Sequence, residues 1–113
     1  METLERPWGH MQILLSTPTC KVKEIHVHPG QRLSYQYHQK RSEHWFIVSG
    51  TATVTLDDVE YRKHPGESVD VGLGQKHRVA NLGSEDMVFI EIQTGTYFGE
   101  DDIVRIEDDY KRV

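Results

Sequence analysis

The chain has 113 residues, with 13 lysines and arginines against 18 aspartates and glutamates, so its formal net charge is −5. A chain of this length forms one domain around one hydrophobic core. An acidic chain without a basic stretch interleaved with aromatic residues is not expected to bind nucleic acid. No apolar run approaches the roughly 18 residues of a membrane helix. No secretory pattern opens the chain and Cys20 is its only cysteine, which predicts a soluble, cytoplasmic protein.

Residues 1–9 are predicted to form an N-terminal arm. The run Arg6-Pro7-Trp8-Gly9 places proline and glycine around an aromatic residue, and this composition interrupts regular structure. Trp8 has no evident place in a minimal barrel. The arm is therefore expected to pair with an edge strand of a second copy, which predicts a homodimer with no membrane or nucleic-acid partner.

Short runs of alternating apolar and polar residues follow the arm, and glycine, proline, asparagine or aspartate separates most of them. Alternation predicts strands that bury one face. Strands recurring every 8 to 12 residues without a helical pattern predict an all-β sandwich or barrel, such as a jelly roll. Residues 99–113 are predicted to form an acidic, extended or irregular C-terminal extension. The predicted strand bounds are 12–15, 21–28, 32–38, 44–48, 51–56, 59–63, 68–71, 77–81 and 87–93.

Four residues are candidate metal ligands. Gln36 and His38 lie two apart on a predicted strand, so their side chains would leave the same face. Glu43 follows after a short polar loop, and His77 lies in a second segment of similar glycine spacing. The hypothesis is that these four side chains meet around one ion.

Other histidines are interpreted as solvated side chains. His26 and His28 also lie two apart on a strand, but no carboxylate follows them at a workable spacing. His10 and His64 are assigned to the surface.

The spacing of glycines around the four candidates is regular in both segments. The first has glycine at positions 30 and 50 around Gln36, His38 and Glu43, and the second has glycine at 66, 72 and 74 before His77. These segments resemble the two motifs of the cupin family, which implies a single cupin-type jelly-roll β-barrel over residues 1–113 with those four residues as ligands. Gln36 stands where that family usually has histidine. An amide oxygen is a weaker ligand than imidazole, so Mn, Zn, Co or Fe(II) is expected.

A closer resemblance is carried by runs along nearly the whole chain. The matching runs are Arg6-Pro7-Trp8-Gly9, Leu33-Ser34-Tyr35-Gln36-Tyr37-His38, Arg41, Glu43-His44-Trp45, Ser49-Gly50-Thr51-Ala52, and Gly99-Glu100-Asp101-Asp102-Ile103. These runs resemble the isomerase domain of type II phosphomannose isomerases, although Lys111 departs from that family's usual glycine. The resemblance implies metal-dependent interconversion of mannose 6-phosphate and fructose 6-phosphate, feeding sugar-nucleotide or polysaccharide synthesis. In that family the domain often follows a guanylyltransferase domain, for which 113 residues leave no room, so that activity is not expected here.

An isomerase of this kind needs a general base and a cation for the phosphate. Glu91 is the first candidate base, because burial on an apolar strand would raise the pKa of a carboxyl group, although it could equally be solvated or paired. His44 is the alternative base. Arg41 is the first candidate for phosphate binding and catalysis, because guanidinium binds oxyanions bidentately. Lys76 and Arg78 follow as substrate-binding candidates.

A second hypothesis comes from another functional class. A single cupin domain could bind metal and a sugar phosphate without turnover, as a sensor or an accessory to polysaccharide synthesis. Gln36 argues against a dioxygenase, whose iron is typically held by histidines and a carboxylate. Conversion of mannose 6-phosphate distinguishes the isomerase from the binding protein.

Overall fold

The computed structural model describes residues 2–110, which form strands and one single-turn 3-10 helix at Glu100–Asp102. No helix in this described part of the chain is long and apolar enough to cross a membrane. The strands are β1 (Thr3–Arg6), β2 (Gly9–Ser16), β3 (Cys20–Val27), β4 (Tyr35–Tyr37), β5 (Arg41–Ser49), β6 (Ala52–Leu56), β7 (Val59–Lys63), β8 (Ser68–Val71), β9 (His77–Ala80), β10 (Met87–Gly95) and β11 (Val104–Glu107).

Two antiparallel sheets pack against each other, which confirms the predicted all-β class. One sheet has the order β1-β2-β3-β10-β5-β8 and the other β11-β4-β9-β6-β7. Side chains of both sheets meet in one core, where Ile25 and Phe89 of the first sheet pack with Val54 and Val79 of the second. Alternating apolar residues supply this core because successive side chains of a strand point to opposite faces.

The N-terminal arm is not free, so this part of the sequence prediction is wrong. Strand β1 pairs with β2 of the same chain, with Arg6 opposite Gly9, and Pro7-Trp8 forms the two-residue loop of a hairpin. Trp8 is buried in the core with 3% of its surface exposed. A Cβ atom on Gly9 would lie 2.0 Å from the carbonyl oxygen of His26, so glycine allows the hairpin to approach β3. The homodimer inferred from this arm stays a prediction, and Met1 lies outside the described residues.

Two strand boundaries near the candidate site differ from the sequence prediction. The strand expected at 32–38 is only Tyr35–Tyr37, and Arg32 makes an isolated bridge with Ala80. Strand β5 begins at Arg41 rather than at residue 44 because its polar first residues pair with the end of β10, where Thr94 lies opposite Ser42. The longer β5 places Arg41, Glu43 and Trp45 on its buried face.

The C-terminal extension closes one side of the second sheet. Strand β11 pairs with β4, and Arg105 lies opposite Gln36. Arg78 on β9 donates from Nη1 to Glu107 Oε1 at 2.9 Å and from Nη2 to the Glu107 carbonyl oxygen at 3.3 Å. The extension is thus extended at β11 and fixed to the barrel, while residues 111–113, including Lys111, lie outside the described residues.

The burial of Trp8 gives a stability prediction. Trp8→Ala is expected to lower the free energy of unfolding by about 3–5 kcal/mol, because the truncation leaves a cavity in the core. Chemical denaturation measures this change. Leu82→Ala is the control, since Leu82 is 67% exposed and its truncation should change stability by no more than about 0.5 kcal/mol. Equal stability of Trp8→Ala and the unchanged protein would contradict the core position of Trp8.

Candidate metal and substrate site

Three of the four predicted ligands meet inside the barrel. His38 follows β4, Glu43 lies on the buried face of β5 and His77 opens β9. One candidate ligand atom from each lies within 4.8 Å of the other two. His38 Nε2 is 3.1 Å from Glu43 Oε2, and His77 Nε2 is 3.8 Å from Glu43 Oε1. The two sheets therefore bring together two imidazoles and one carboxylate from distant parts of the sequence.

The imidazole nitrogens of this trio indicate whether a metal ion fits the site. Both ring nitrogens of His38 and Nε2 of His77 are buried and make no hydrogen bond of acceptable geometry. Nδ1 of His77 lies 2.9 Å from the carbonyl oxygen of Gln75, so it is the donor and leaves the Nε2 lone pair free. Unpaired buried nitrogens are costly unless a ligand engages them. A metal ion is a ligand of the required kind.

The charge states of the trio also fit a cation. Burial by itself would raise the pKa of Glu43, but the adjacent His38 and His77 outweigh that effect and hold the pKa below its usual range. Burial lowers the pKa of His77. The favoured forms are thus a carboxylate and a neutral imidazole, which are the forms that bind metal. Trp45 Nε1 donates to Glu43 Oε1 at 3.0 Å and orients the carboxylate, as partners of metal ligands commonly do.

Gln36, the fourth predicted ligand, lies beside the trio. It is opposite His77 in the pairing of β4 with β9, and it lines the same cavity. Its Oε1 accepts a hydrogen bond from Ser34 Oγ at 2.6 Å. An amide oxygen has two lone pairs, so this contact fixes the amide and leaves one lone pair for a cation.

A cavity between the sheets reaches from the surface to two residues of the trio. Glu43, His77 and the neighbouring Gln36 line it. Apolar side chains such as Trp8 and Phe89 form part of the wall. The combination of apolar walls and a few convergent polar groups is typical of small-molecule sites.

Glu91 is buried on β10 and lines this cavity. Gln93 Nε2 donates to Glu91 Oε1 at 2.5 Å and lies 3.3 Å from Glu43 Oε2. Burial, followed by the nearby Glu43 carboxylate, raises the pKa of Glu91 to about 8. Gln93 is not among the residues assigned to the site from sequence, although its two-residue spacing from Glu91 on a predicted strand was a usable signal.

Arg41 and Arg78 both line the cavity but differ in their contacts. Arg41 Nη1 donates to the Gly99 carbonyl oxygen at 3.2 Å, and its Nε lies 3.8 Å from Glu43 Oε2 without a hydrogen bond. Arg78 donates from Nε to the Leu33 carbonyl oxygen and from both terminal nitrogens to Glu107. Arg41 therefore lies at the metal end of the cavity, whereas the donors of Arg78 hold β11.

His44 and Lys76 lie away from the cavity, contrary to the roles predicted for them. His44 is adjacent to the inward-facing Glu43 on β5, so strand alternation turns its ring outward, where Nδ1 lies 2.6 Å from Asp70 Oδ1. Lys76 Nζ donates to Asp58 Oδ2 at 2.8 Å, and its side chain is 37% exposed. Neither residue lines the cavity that reaches Glu43 and His77.

The remaining histidines form polar contacts outside the trio. His26 Nε2 lies 2.6 Å from Glu24 Oε1 and stacks on the ring of His10, with centroids 4.3 Å apart. His28 Nδ1 lies 3.1 Å from Asp86 Oδ1. Among the described residues 2–110, the trio of His38, Glu43 and His77 is the one group of acidic, histidine or cysteine side chains with ligand atoms close enough to share an ion.

Three further cations line the cavity that sequence reasoning did not assign to it, namely Arg6, Lys23 and Arg105. Lys23 lies two residues before the core residue Ile25 on β3, so its inward direction could be inferred from alternation. No sequence pattern indicated the direction of the Arg105 side chain, because its segment was predicted to be extended or irregular.

Comparison with known proteins identifies the family of this chain and agrees with its fold. The family described as "Mannose-6-phosphate isomerase C-terminal" matches residues 1–108. The chain is 46% identical over 107 residues to the alginate biosynthesis protein AlgA of Pseudomonas aeruginosa, covering 95% of this chain and 22% of that protein. It is 40% identical to a mannose-1-phosphate guanylyltransferase of Klebsiella pneumoniae, covering 95% and 23%. The chain thus spans about a fifth to a quarter of the length of these relatives.

The fold also matches a solved structure. A protein from Klebsiella pneumoniae subsp. pneumoniae with a double-stranded β-helix domain superposes with a TM-score of 0.75 at 24% identity, covering 85% of this chain and 77% of that one. The predicted cupin-type barrel is confirmed by this likeness and by the two-sheet topology. With a family match over residues 1–108, the chain belongs to the cupins of the mannose-6-phosphate isomerase C-terminal family.

Proposed function

We propose that this domain is a metal-dependent isomerase that interconverts mannose 6-phosphate and fructose 6-phosphate for sugar-nucleotide or polysaccharide synthesis. The observation that carries the proposal is the position of Glu91, a buried carboxyl group joined through Gln93 to the ligand Glu43. The family match and the relatives in alginate and mannose metabolism support the same substrate class.

A divalent metal ion would be held by His38, Glu43 and His77, with Gln36 as a fourth ligand. When bound, such an ion stabilises negative charge that develops on the sugar oxygens. The mixed nitrogen and oxygen donors suit Mn, Zn, Co or Fe(II).

Glu91 moves the proton in this proposal. In the linear aldose, the Glu91 carboxylate accepts the proton of carbon 2, a double bond forms between carbons 1 and 2, and the carbonyl oxygen on carbon 1 takes the negative charge of an enediolate. The hydroxyl proton of oxygen 2 passes to oxygen 1, a carbonyl forms at carbon 2, and Glu91 returns its proton to carbon 1, which gives the ketose. Atoms balance because one proton moves between carbons and one between oxygens.

The surroundings of Glu91 suit this exchange. A general base works best when its pKa lies near the operating pH, and burial and the charge of Glu43 bring the pKa of Glu91 to about 8. The hydrogen bond from Gln93 holds one carboxyl oxygen of Glu91 and leaves the other for the substrate. Apolar residues of the wall, including Trp8 and Phe89, limit the access of water to the enediolate.

The alternative is a protein that binds metal and sugar phosphate without turnover. Gln36 in place of histidine favours this alternative, because it reduces the number of imidazole ligands. The direct test is to incubate the protein with mannose 6-phosphate and several divalent metals and to measure fructose 6-phosphate. Sugar-phosphate binding without turnover under all these conditions would support the binding protein and reject the isomerase.

Removing the carboxyl group of Glu91 should abolish most activity. Glu91→Gln is expected to lower kcat by about 100-fold or more, because a positioned acid or base contributes about 10²- to 10⁴-fold. Coupled detection of fructose 6-phosphate measures kcat, and elemental analysis should give unchanged metal content. Glu60→Gln is the matched control, since Glu60 is exposed on β7. Full activity of Glu91→Gln would remove Glu91 from the mechanism.

Metal binding should depend on the trio. Purified protein is expected to contain about one divalent ion per chain by elemental analysis, and His77→Ala should weaken metal binding by at least about 10-fold. Gln36→Ala should have a smaller effect, because an amide oxygen is the weaker ligand. His64→Ala is the control, since the His64 side chain is 60% exposed and contacts Glu67. Equal metal content in all these proteins would contradict the site.

Replacing the unusual ligand tests its role separately. Gln36→His should tighten metal binding, because imidazole is a stronger ligand than an amide for these ions. Competition with a chelating dye measures the affinity. Gln12→His adds a histidine on β2, outside the cavity, and should leave the affinity unchanged. Weaker metal binding by Gln36→His would show that the site requires the amide of Gln36 and cannot use an imidazole in its place.

A further inference from the structure

We propose that Arg105 on β11 binds the phosphate group of the substrate. This inference rests on the proposed sugar-phosphate substrate. It replaces Arg41, Lys76 and Arg78, the phosphate-binding candidates predicted from sequence, with a residue whose Nε donor is buried without a hydrogen-bond partner among residues 2–110.

The position of Arg105 relative to the trio matches the length of a hexose phosphate. Arg105 lies opposite Gln36, which in turn lies opposite His77. Neighbouring strands are about 4.8 Å apart, so the backbone of Arg105 is about 10 Å from that of His77. A sugar whose first two carbons lie at His77 carries its phosphate at the other end of the chain, toward β11.

The contacts of the cavity cations leave few free donors. Arg78 uses Nε and both terminal nitrogens on Leu33 and Glu107. Arg41 lies against the ligand Glu43, which places it at the end of the sugar that reacts. Arg41 Nε and Arg105 Nε are both buried without a hydrogen-bond partner among the described residues, but of the two only Arg41 Nε lies beside a carboxylate there, at 3.8 Å from Glu43 Oε2. Arg105 Nε is therefore the donor that remains for the phosphate. A phosphate oxygen would satisfy this donor through a charge-assisted hydrogen bond.

Lys23 and Glu100 are charged residues of the cavity wall with different positions. Lys23 is half-buried on β3 opposite Glu91, so its charge lies at the reacting end of the sugar, as that of Arg41 does. Glu100 also lines the cavity and forms a 3.5 Å ion pair with Arg6. The carboxylate of Glu100 repels a second anion and competes for Arg6. Phosphate affinity should therefore fall when Arg105 loses its charge and rise when Glu100 loses its charge.

Strand β11 positions Arg105 through Arg78. The bonds from Arg78 to the side chain and carbonyl oxygen of Glu107 fix the strand two residues beyond Arg105. This gives Arg78 a positioning role, and it explains why a cavity arginine has its donors directed to the protein rather than to the cavity.

The test is calorimetric titration with mannose 6-phosphate and, separately, inorganic phosphate. Arg105→Gln should weaken mannose 6-phosphate binding by about 10- to 100-fold, the range of a lost hydrogen bond to a charged group. Arg105→Lys should keep part of the affinity, and Glu100→Gln should increase it. Arg62→Gln removes the same charge from an exposed position on β7 and should leave binding unchanged. Circular dichroism and metal content should be equal in all variants.

The outcomes separate the phosphate subsite from the isomerase activity. If Arg105→Gln binds mannose 6-phosphate more weakly and the unchanged protein shows no turnover, the phosphate subsite is supported and the isomerase is rejected. Normal turnover with unaltered affinity and KM in Arg105→Gln would reject the subsite and keep the isomerase. If the unchanged protein binds neither mannose 6-phosphate nor inorganic phosphate, both proposals fail.

Discussion

The buried carboxylate of Glu43 is the constraint on which the interior of this barrel depends. A carboxylate with only 6% of its residue surface exposed is costly unless charges and hydrogen bonds compensate for lost hydration. Trp45 supplies one donor and Gln93 another. The unpaired nitrogens of His38 and His77 face the same carboxylate at distances that an ion could bridge. The need to compensate the lost hydration of Glu43 therefore favours hydrogen-bond donors and histidines around this carboxylate.

The same requirement links the two parts of the proposed chemistry. Gln93 contacts Glu43 and Glu91 with one amide nitrogen, so two buried carboxyl groups share a neutral donor. Burial, followed by the charge of Glu43, raises the pKa of Glu91, and Lys23 opposite Glu91 offsets only part of this effect. A residue near the metal trio thereby acquires the proton affinity that a general base requires.

Much of the fold and the ligand trio could be predicted from sequence, because both follow from regular patterns. Alternation defined most strands, and the glycine spacing around His38, Glu43 and His77 identified residues that converge. The N-terminal hairpin was not predictable in this way. Pro7 and Gly9 interrupt a strand pattern, yet here they form its turn and its close contact with β3. That outcome depends on tertiary packing of Trp8.

Two residues assigned to the site from sequence, one as a base and one as a cation, lie outside the cavity for a related reason. His44 and Lys76 are close in sequence to ligands, but a one-residue step along a strand reverses the direction of a side chain. Arg105 lies far from the motifs in sequence and reaches the cavity only because β11 pairs with β4. Long-range strand pairing carries no local signal, so charge type and proximity to a motif were insufficient to identify the residues in the cavity.

The attachment of β11 has a consequence for the entry of ligands. This strand pairs with β4 through three residue pairs interrupted by an irregularity, and the ion pairs of Arg78 and Arg32 with Glu107 join its end to the barrel. The Glu107 side chain is 57% exposed, so added salt weakens its ion pairs. Elements with few backbone bonds and exposed contacts open at a lower free energy than the core. The wall that β11 forms is therefore expected to open at a lower free energy than the core strands, which would expose the buried carboxylates to solvent without unfolding of the barrel.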